Sequence, residues 1–390
     1  MPQVKPEIEA FARIKVLGVG GSGKNAVNHM ISSKVRGVEF IAINTDAEEL
    51  QTSLAKKKIH IGKNLTHGLG TGMNPELGKR AVEENKEEIQ EAIKGADMVF
   101  IAGGMGGGTC TGAGPTVSKI SKELGALTVA VVTKPFFFEG AQRMRYADQG
   151  LDELRKAVDA TVVIPNDRLL VNITKETTAK AAFALCDDVL KQAVEGISDL
   201  ITIPGIINTD FADIKSILGN AGSALMGIGT ASGEKRAEEA AKMAINSPLL
   251  DISIQGAKGV LFSIAGGEDL TMFEIQDAAK IITESIDSNA KVIFGTVRDD
   301  RLKKNEIKIT VIASGFPEPN HRKLFNEAPV PPEKKGTIFN TLMSGGNKEK
   351  DKEEAKTEEK EKKPVETKTA PVADDDDDWG AVPAFLRRKK

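Results

Sequence analysis

DMVFIAGGMGGGTCTGAGP, residues 97–115, places an apolar strand directly before a run of glycines and a helix-compatible stretch. The apolar residues of DMVFIA (97–102) are continuous and do not alternate with polar ones, so both faces of this strand must be covered, the habit of a parallel sheet between two layers of helix. GGMGGGT (103–109) follows without a spacer. One or two glycines serve a tight turn; a run this dense suits a backbone that approaches a ligand closely. Its exposed N–H groups, together with the start of the following helix, make an anion site fit for a di- or triphosphate.

The same alternation continues on either side. RIKVLGV (13–19), VEFIAI (38–43), KIHI (58–61), LTVAVVT (127–133) and TVVI (161–164) read as strands, with helical stretches at Pro75 to Lys94 and Gly140 to Val158 between them. The pattern predicts a doubly wound parallel sheet. A long helix is expected over Ala179 to Leu200, ending before Pro204-Gly205. Beyond it, SALMGIGT (223–230), GVLFSIAG (259–266), KVIFGTV (291–297) and EIKITVIA (306–313) are strands, with helices near 233–245 and 271–287. They imply a second, smaller α/β domain joined through the long helix. The expected organisation is a flexible start (1–12), a nucleotide domain (13–178), a central helix (179–203), a second domain (204–316), a disordered charged linker (317–378) and a terminal docking peptide (379–390).

Two more glycine-rich loops accompany the first. Gly18-Val-Gly20-Gly-Ser-Gly23 is a formal dinucleotide fingerprint, and Gly18 to Asn25 nearly matches a P-loop with Lys24 in the lysine position. Each reading has a defect. A P-loop needs Ser or Thr after the lysine, where Asn25 stands, and a dinucleotide fold has no use for the further loops GLGTGMNPE (68–76) and GGMGGGTCTGAGP (103–115). Three such loops at one sheet edge describe a nucleotide surrounded on several sides.

Phe183 and Asp187, four apart on the long helix, share one face. A ring that stacks on a purine beside a carboxylate that accepts two N–H bonds suits guanine and not adenine, although a core Phe with a solvated Asp is the commoner origin of such a pair. In NTDFADI (208–214), Asp210 and Asp213 sit at a helix start, where aspartates usually cap. They lie at the far end of a helix roughly 30 Å long, so one chain could hardly bring them to its own γ-phosphate. A neighbour stacked head to tail could.

Composition divides the chain again. Residues 318–390 hold 16 Lys+Arg and 16 Asp+Glu in 73 positions but only 4 of the 38 glycines. Residues 347–370 carry eight Lys and eight acids with one Val and two Ala, too little apolar surface to offset the entropy of ordering. After Asp374 to Asp378, WGAVPAFLRRKK brings back Trp379, Val382, Phe385 and Leu386, the pattern of a docking peptide on a tether. No window reaches the 18 apolar residues of a membrane span, and the first residues lack the apolar core of a signal peptide, so a cytoplasmic protein without direct membrane insertion is expected. Two cysteines and four histidines offer no metal cluster, and a net charge of −3 gives no field for nucleic acid.

GGGTCTG (106–112) resembles the tubulin signature GGGTGTG; together with GVGGSGKNAV (18–27), NTD (44–46), KPFFFEG (134–140) and NTDFADI (208–214), residues 13–316 resemble FtsZ, the family of bacterial division GTPases, and VPAFLRRKK extends the likeness to the end of the tail. The resemblance implies a tubulin-like fold that binds GTP or GDP with Mg²⁺. It implies phosphate and ribose contacts from Gly21, Ser22, Gly23, Lys24 and Asn25, and phosphate contacts from Gly106, Gly107, Gly108, Thr109 and Cys110. Glu139 and Arg143 would hold the sugar and nearby groups, and Phe183 and Asp187 the base. Asp210 and Asp213 would be the synergy-loop acids that complete the next subunit's site in a head-to-tail homopolymer at the mid-cell septum. Trp379 to Lys390 would dock on FtsA-like, SepF-like or ZipA-like adaptors. Ser22 and Lys24 stand where the family commonly has glycine, and Cys110 replaces a signature glycine whose backbone angles a cysteine can resist. Two rivals make different predictions. A regulatory module would hold nucleotide without turnover, and a dinucleotide oxidoreductase would bind nicotinamide with no preference for guanine.

Overall fold

The computed structural model describes residues 12–170, 176–249, 254–299 and 301–316. The expected flexible start, charged linker and docking peptide fall on residues 1–11 and 317–390, outside the described residues.

Ten strands form one sheet: β1 (Ile14–Val19), β2 (Val38–Asn44), β3 (Lys57–His60), β4 (Met98–Gly104), β5 (Leu127–Lys134), β6 (Ala160–Pro165), β7 (Gly222–Ser232), β8 (Gly259–Gly266), β9 (Lys291–Arg298) and β10 (Glu306–Ser314), in the order β3-β2-β1-β4-β5-β6-β7-β10-β8-β9. From β3 to β6 every neighbouring pair is parallel. The expected second α/β segment is not a separate sheet. β7 pairs in parallel with β6 over Ala160–Val162 only, and β10 then runs antiparallel to both β7 and β8.

The helices are α1 (Gly20–Ser32), α2 (Ala47–Gln51), α3 (Lys63–Thr66), α4 (Pro75–Glu84), α5 (Lys86–Ile93), α6 (Thr109–Glu123), α7 (Ala141–Ala157), α8 (Asn166–Leu169), α9 (Ala179–Thr202), α10 (Phe211–Leu218), α11 (Arg236–Ile245) and α12 (Met272–Glu284). The unbroken apolar strands are explained by their two faces. Val16, Ala42, Phe100 and Val129 point into a core shared with α1, α9 and α10, whereas Leu17, Ile41, Ile101 and Ala130 point into one shared with α4 to α7. Side chains alternate along each strand, and both sets are buried. A third core, with Phe262, Ile264 and Ile309, lies under α11 and α12.

This topology locates the site. The chain winds outward from β1 through β2 to β3 on one side and from β4 through β5 to β6 on the other, so the direction reverses between β1 and β4. In open α/β sheets, ligands bind outside the carboxyl ends of the strands at such a switch point. Val19 and Gly104 end the two strands there, each at the head of a glycine loop.

Candidate functional site

A cavity of about 420 Å³ opens at the β1/β4 switch point. Its walls include Gly21, Ser22 and Asn25 of α1, Gly107, Gly108, Thr109 and Cys110 before and within α6, Glu139 and Arg143 after β5, and Phe183 and Asp187 of α9. Eleven of the sixteen anticipated site residues therefore converge on one space.

At one end the donors are backbone. Neither α1 nor α6 has a side-chain cap or an acid in its first turn, so their leading N–H groups are open to an anion. By contrast, Asn74, Thr178, Asp210 and Thr271 cap α4, α9, α10 and α12. Hydroxyls tie the third loop to the second and to the turn after β2: Thr109 Oγ1 lies 3.4 Å from Thr71 Oγ1 and 2.8 Å from Thr45 Oγ1. The glycines have unequal reasons. A Cβ on Gly107 or Gly21 would meet nothing within 4 Å, so those positions face free space in the cavity. A Cβ on Gly108 would lie 2.2 Å from Thr71 Oγ1, and one on Gly112 would lie 1.8 Å from the Pro75 carbonyl. These two glycines let the second loop and α4 pack against the third.

At the other end sits the base-type chemistry. Phe183 is half exposed, with its ring edge-on to Phe136 at 5.5 Å. Burial raises the Asp187 carboxyl to about 6, against the opposing pull of the His29 and Lys24 charges. Glu139 accepts from the Phe136 N–H at 2.9 Å and pairs with Arg143 one turn on, which fixes both side chains on the wall.

Asn166 is a wall residue that the sequence reading passed over. It opens α8 at the carboxyl end of β6, is 6% exposed, and its Oδ1 has no hydrogen-bond partner among the described residues. A buried acceptor left unmatched is costly, so a ligand donor is its natural partner. The only advance signal was its position directly after β6, a strand of the same parallel set as β1, β4 and β5, whose carboxyl ends carry the site.

Five anticipated residues stand elsewhere. Lys24 is buried, with Nζ 2.5 Å from Glu49 Oε2 and 3.0 Å from Thr52 Oγ1, so its charge is held by α2 and does not line the cavity. Gly23 faces the Ala102 carbonyl, 2.4 Å from where its Cβ would be, and serves the packing of α1 on the sheet. Gly106 has φ +94° and backs onto the Arg143 carbonyl. Asp210 caps α10 by accepting from the Ala212 N–H at 3.2 Å, and Asp213 is exposed on its first turn. The 24 residues of α9, about 36 Å at 1.5 Å each, separate these two acids from the base end of the cavity. Cys110 is the second residue of α6 and has no positive φ, so the feared conflict with its backbone does not arise. Burial pushes its thiol up to about 12.

The description Tubulin/FtsZ family, GTPase domain, matches residues 13–174, and FtsZ family, C-terminal domain, matches residues 222–317. An FtsZ dimer from M. jannaschii is 46% identical, covers 79% of this chain and 89% of its own, and superposes with a TM-score of 0.76. A point mutant of M. jannaschii FtsZ is 47% identical, with 78% and 92% covered and a TM-score of 0.75. A GTPγS-bound protofilament of CetZ2 from Haloferax volcanii shares the fold at 20% identity, with 78% and 94% covered and a TM-score of 0.66.

Proposed function

The chain belongs to the tubulin/FtsZ family and is a guanine-nucleotide-binding GTPase, and from that premise we propose that it polymerises head to tail into protofilaments that form the septal ring, hydrolysing GTP where one subunit's Asp210–Asp213 loop closes the next subunit's cavity. The separation of the two parts carries this reading. A cavity complete for binding and two exposed acids at the opposite end of α9 cannot meet within one chain. In a head-to-tail stack they do.

The exposed apolar surface supports the same arrangement. Among the large apolar side chains of the described residues, the six most exposed fall into two groups of three. Leu69 lies on the second glycine loop and Phe137 and Phe138 on the turn that carries Glu139, while Ile206, Met272 and Phe273 lie at the far end, where Ile207 is bound to Thr296 of β9 and where β8 leads into α12. Exposed apolar patches on a soluble body mark interaction sites, and two different patches at opposite ends suit a heterologous contact that repeats into a filament.

Within the cavity, the N–H groups of the α1 and α6 starts receive the phosphates, with Gly107 and Gly21 leaving room for them. Phe183 stacks on the base, and Asp187 accepts the guanine N1–H and N2–H₂, with Asn166 Oδ1 as a further acceptor. Asp213, whose side chain makes no hydrogen bond with described residues, orients the attacking water for in-line displacement, and Asp210 holds that turn in place. Among the described residues no three His, Cys, Asp or Glu side chains cluster as a metal cage. Mg²⁺ would enter with the nucleotide beside the uncapped starts of α1 and α6 and would neutralise charge on its phosphates. No helix among the described residues is long and apolar enough to cross a membrane. The filament would be tethered through Trp379 to Lys390 on FtsA-like, SepF-like or ZipA-like adaptors in the cytoplasm. Phe385→Ala should weaken that docking and leave GTP turnover unchanged.

Turnover per subunit measured against protein concentration tests the central claim. It should rise steeply above a threshold concentration; equal turnover at high dilution refutes assembly-dependent hydrolysis.

A further inference from the structure

Arg236 opens α11, and its side chain is only 6% exposed. Two carboxylates from the segment entering α12 enclose it. Nε donates to Glu274 Oε1 at 2.5 Å and Nη2 to Oε2 at 3.1 Å, while Nη1 donates to Asp269 Oδ2 at 2.6 Å and Nη2 to the Asp269 carbonyl at 3.0 Å. The guanidinium holds the Asp269 and Glu274 carboxyls below their ordinary range. Glu274 also accepts from the Thr271 N–H at 2.9 Å, and Thr271 Oγ1 accepts from the Glu274 N–H at 3.3 Å, a reciprocal cap on α12.

The residues bracketed by this clamp, 270–273, include Met272 and Phe273, which are 68% and 78% exposed. Folding alone gives no reason for the expense. A buried charge is tolerated only when its donors are met, and an apolar side chain fills such a space at least as well. What a guanidinium adds over an apolar filler is geometry, because its rigid fork fixes both carboxylates at once. Here that geometry sets the first turn of α12, where two large apolar side chains are turned toward solvent.

We propose that Arg236 is a positioning residue for assembly: by clamping Asp269 and Glu274 it presents Met272 and Phe273 to the cavity rim of a second copy of this chain. It acts on GTP turnover through the contact and touches no nucleotide. This inference rests on the head-to-tail reading above.

The test uses the full chain with Arg236→Met, Asp269→Asn and Phe273→Ser, and compares GDP affinity, thermal unfolding and turnover against concentration. Arg236→Met should leave GDP affinity within about twofold, raise the concentration for half-maximal turnover by about tenfold, and leave the plateau rate near wild type. Phe273→Ser should give a similar shift with the clamp intact, and the double variant should be little worse than either single one, since both remove the same contact. Asp269→Asn, which loosens the clamp from its exposed side, should shift the threshold in the same direction and carries the test where Arg236→Met fails to fold. An unchanged threshold for correctly folded variants, or shifts that multiply in the double variant, overturns the proposal. Failure of the head-to-tail reading is recognised separately, as wild-type turnover that is independent of concentration.

Discussion

The two ends of α9 solve opposite problems. At the cavity end the groups open to an anion are backbone: uncapped helix starts, glycines with open space before them, and beside them one buried Asn whose oxygen has no partner among the described residues. At the far end the helix start is capped, the acids are exposed, and the neighbouring apolar side chains face outward. The difference is what the proposed division rests on: if binding belongs to one face of the chain and hydrolysis to the other, a bound nucleotide should persist without turnover until a second copy arrives.

The largest expected effect separates the ends most cleanly. Asp213→Ala should lower turnover by about 100-fold, the scale of losing one group that positions reacting atoms, with GTP affinity unchanged. Mixing it with an Asp187→Asn chain should restore part of the rate, because intact pockets then face intact loops; a mixture no faster than the sum of its parts would break the division. Next comes the base. Asp187→Asn should weaken GDP binding by about 30-fold, the worth of hydrogen bonds to a charged acceptor, and Asn166→Leu by about tenfold, as read by calorimetric titration.

Much of this was legible in the residues, and the limits have physical causes. Apolar strands without alternation announced a sheet covered on both faces, and Val16 beside Leu17 realises it by entering two different cores. Phe183 and Asp187 needed only helix periodicity to be placed together. Lys24 misled, because a lysine in a glycine loop suggests phosphate, yet the packing of Gly23 on the Ala102 carbonyl sets the phase of α1 and turns Lys24 to Glu49. Gly108 lines the cavity as expected, yet it and Gly112 also have a packing reason that the sequence does not display. Their side chains are absent for the sake of Thr71 and Pro75, and glycine has one letter for both reasons. Asn166 was invisible, since an unmet acceptor exists only once burial has removed its water. The continuity of the sheet also escaped, since it depends on a parallel pairing of β6 and β7 over a few residues.

A smaller effect sharpens the base end through pH. Burial raises the Asp187 carboxyl to about 6, so the ionised form that the proposed guanine contact requires is lost as pH falls through that value. GDP affinity should be flat above neutrality and fall by about tenfold per pH unit below the Asp187 midpoint. Stability has the opposite sign. A carboxyl raised on folding binds more protons in the folded than in the unfolded chain, so its contribution is fully present below the ordinary carboxylate range and is lost as pH rises through about 6. Ligand-free Asp187→Asn should therefore melt no lower than wild type at pH 7 while it binds GDP worse; a clear loss of melting temperature would make Asp187 a structural residue and remove it from the recognition set.

The smallest expected effect concerns the one signature position that departs in chemistry. Cys110 lines the cavity, which invites the idea of a redox-sensitive phosphate site. Reactivity needs thiolate and access, and this residue offers neither: it is 4% exposed, burial pushes its thiol up to about 12, and its Sγ packs 2.4 Å from where a Cβ on Gly103 would stand. The start of a helix usually lowers a thiol pKa, so here the loss of solvation outweighs the local N–H field. Treatment of the native protein with iodoacetamide at pH 8 should leave GTP turnover unchanged, while the unfolded chain takes up label at both cysteines. Rapid native labelling at Cys110 with loss of turnover would mean that this wall opens on its own, and that the cavity end is less preformed than the contrast with the far end requires.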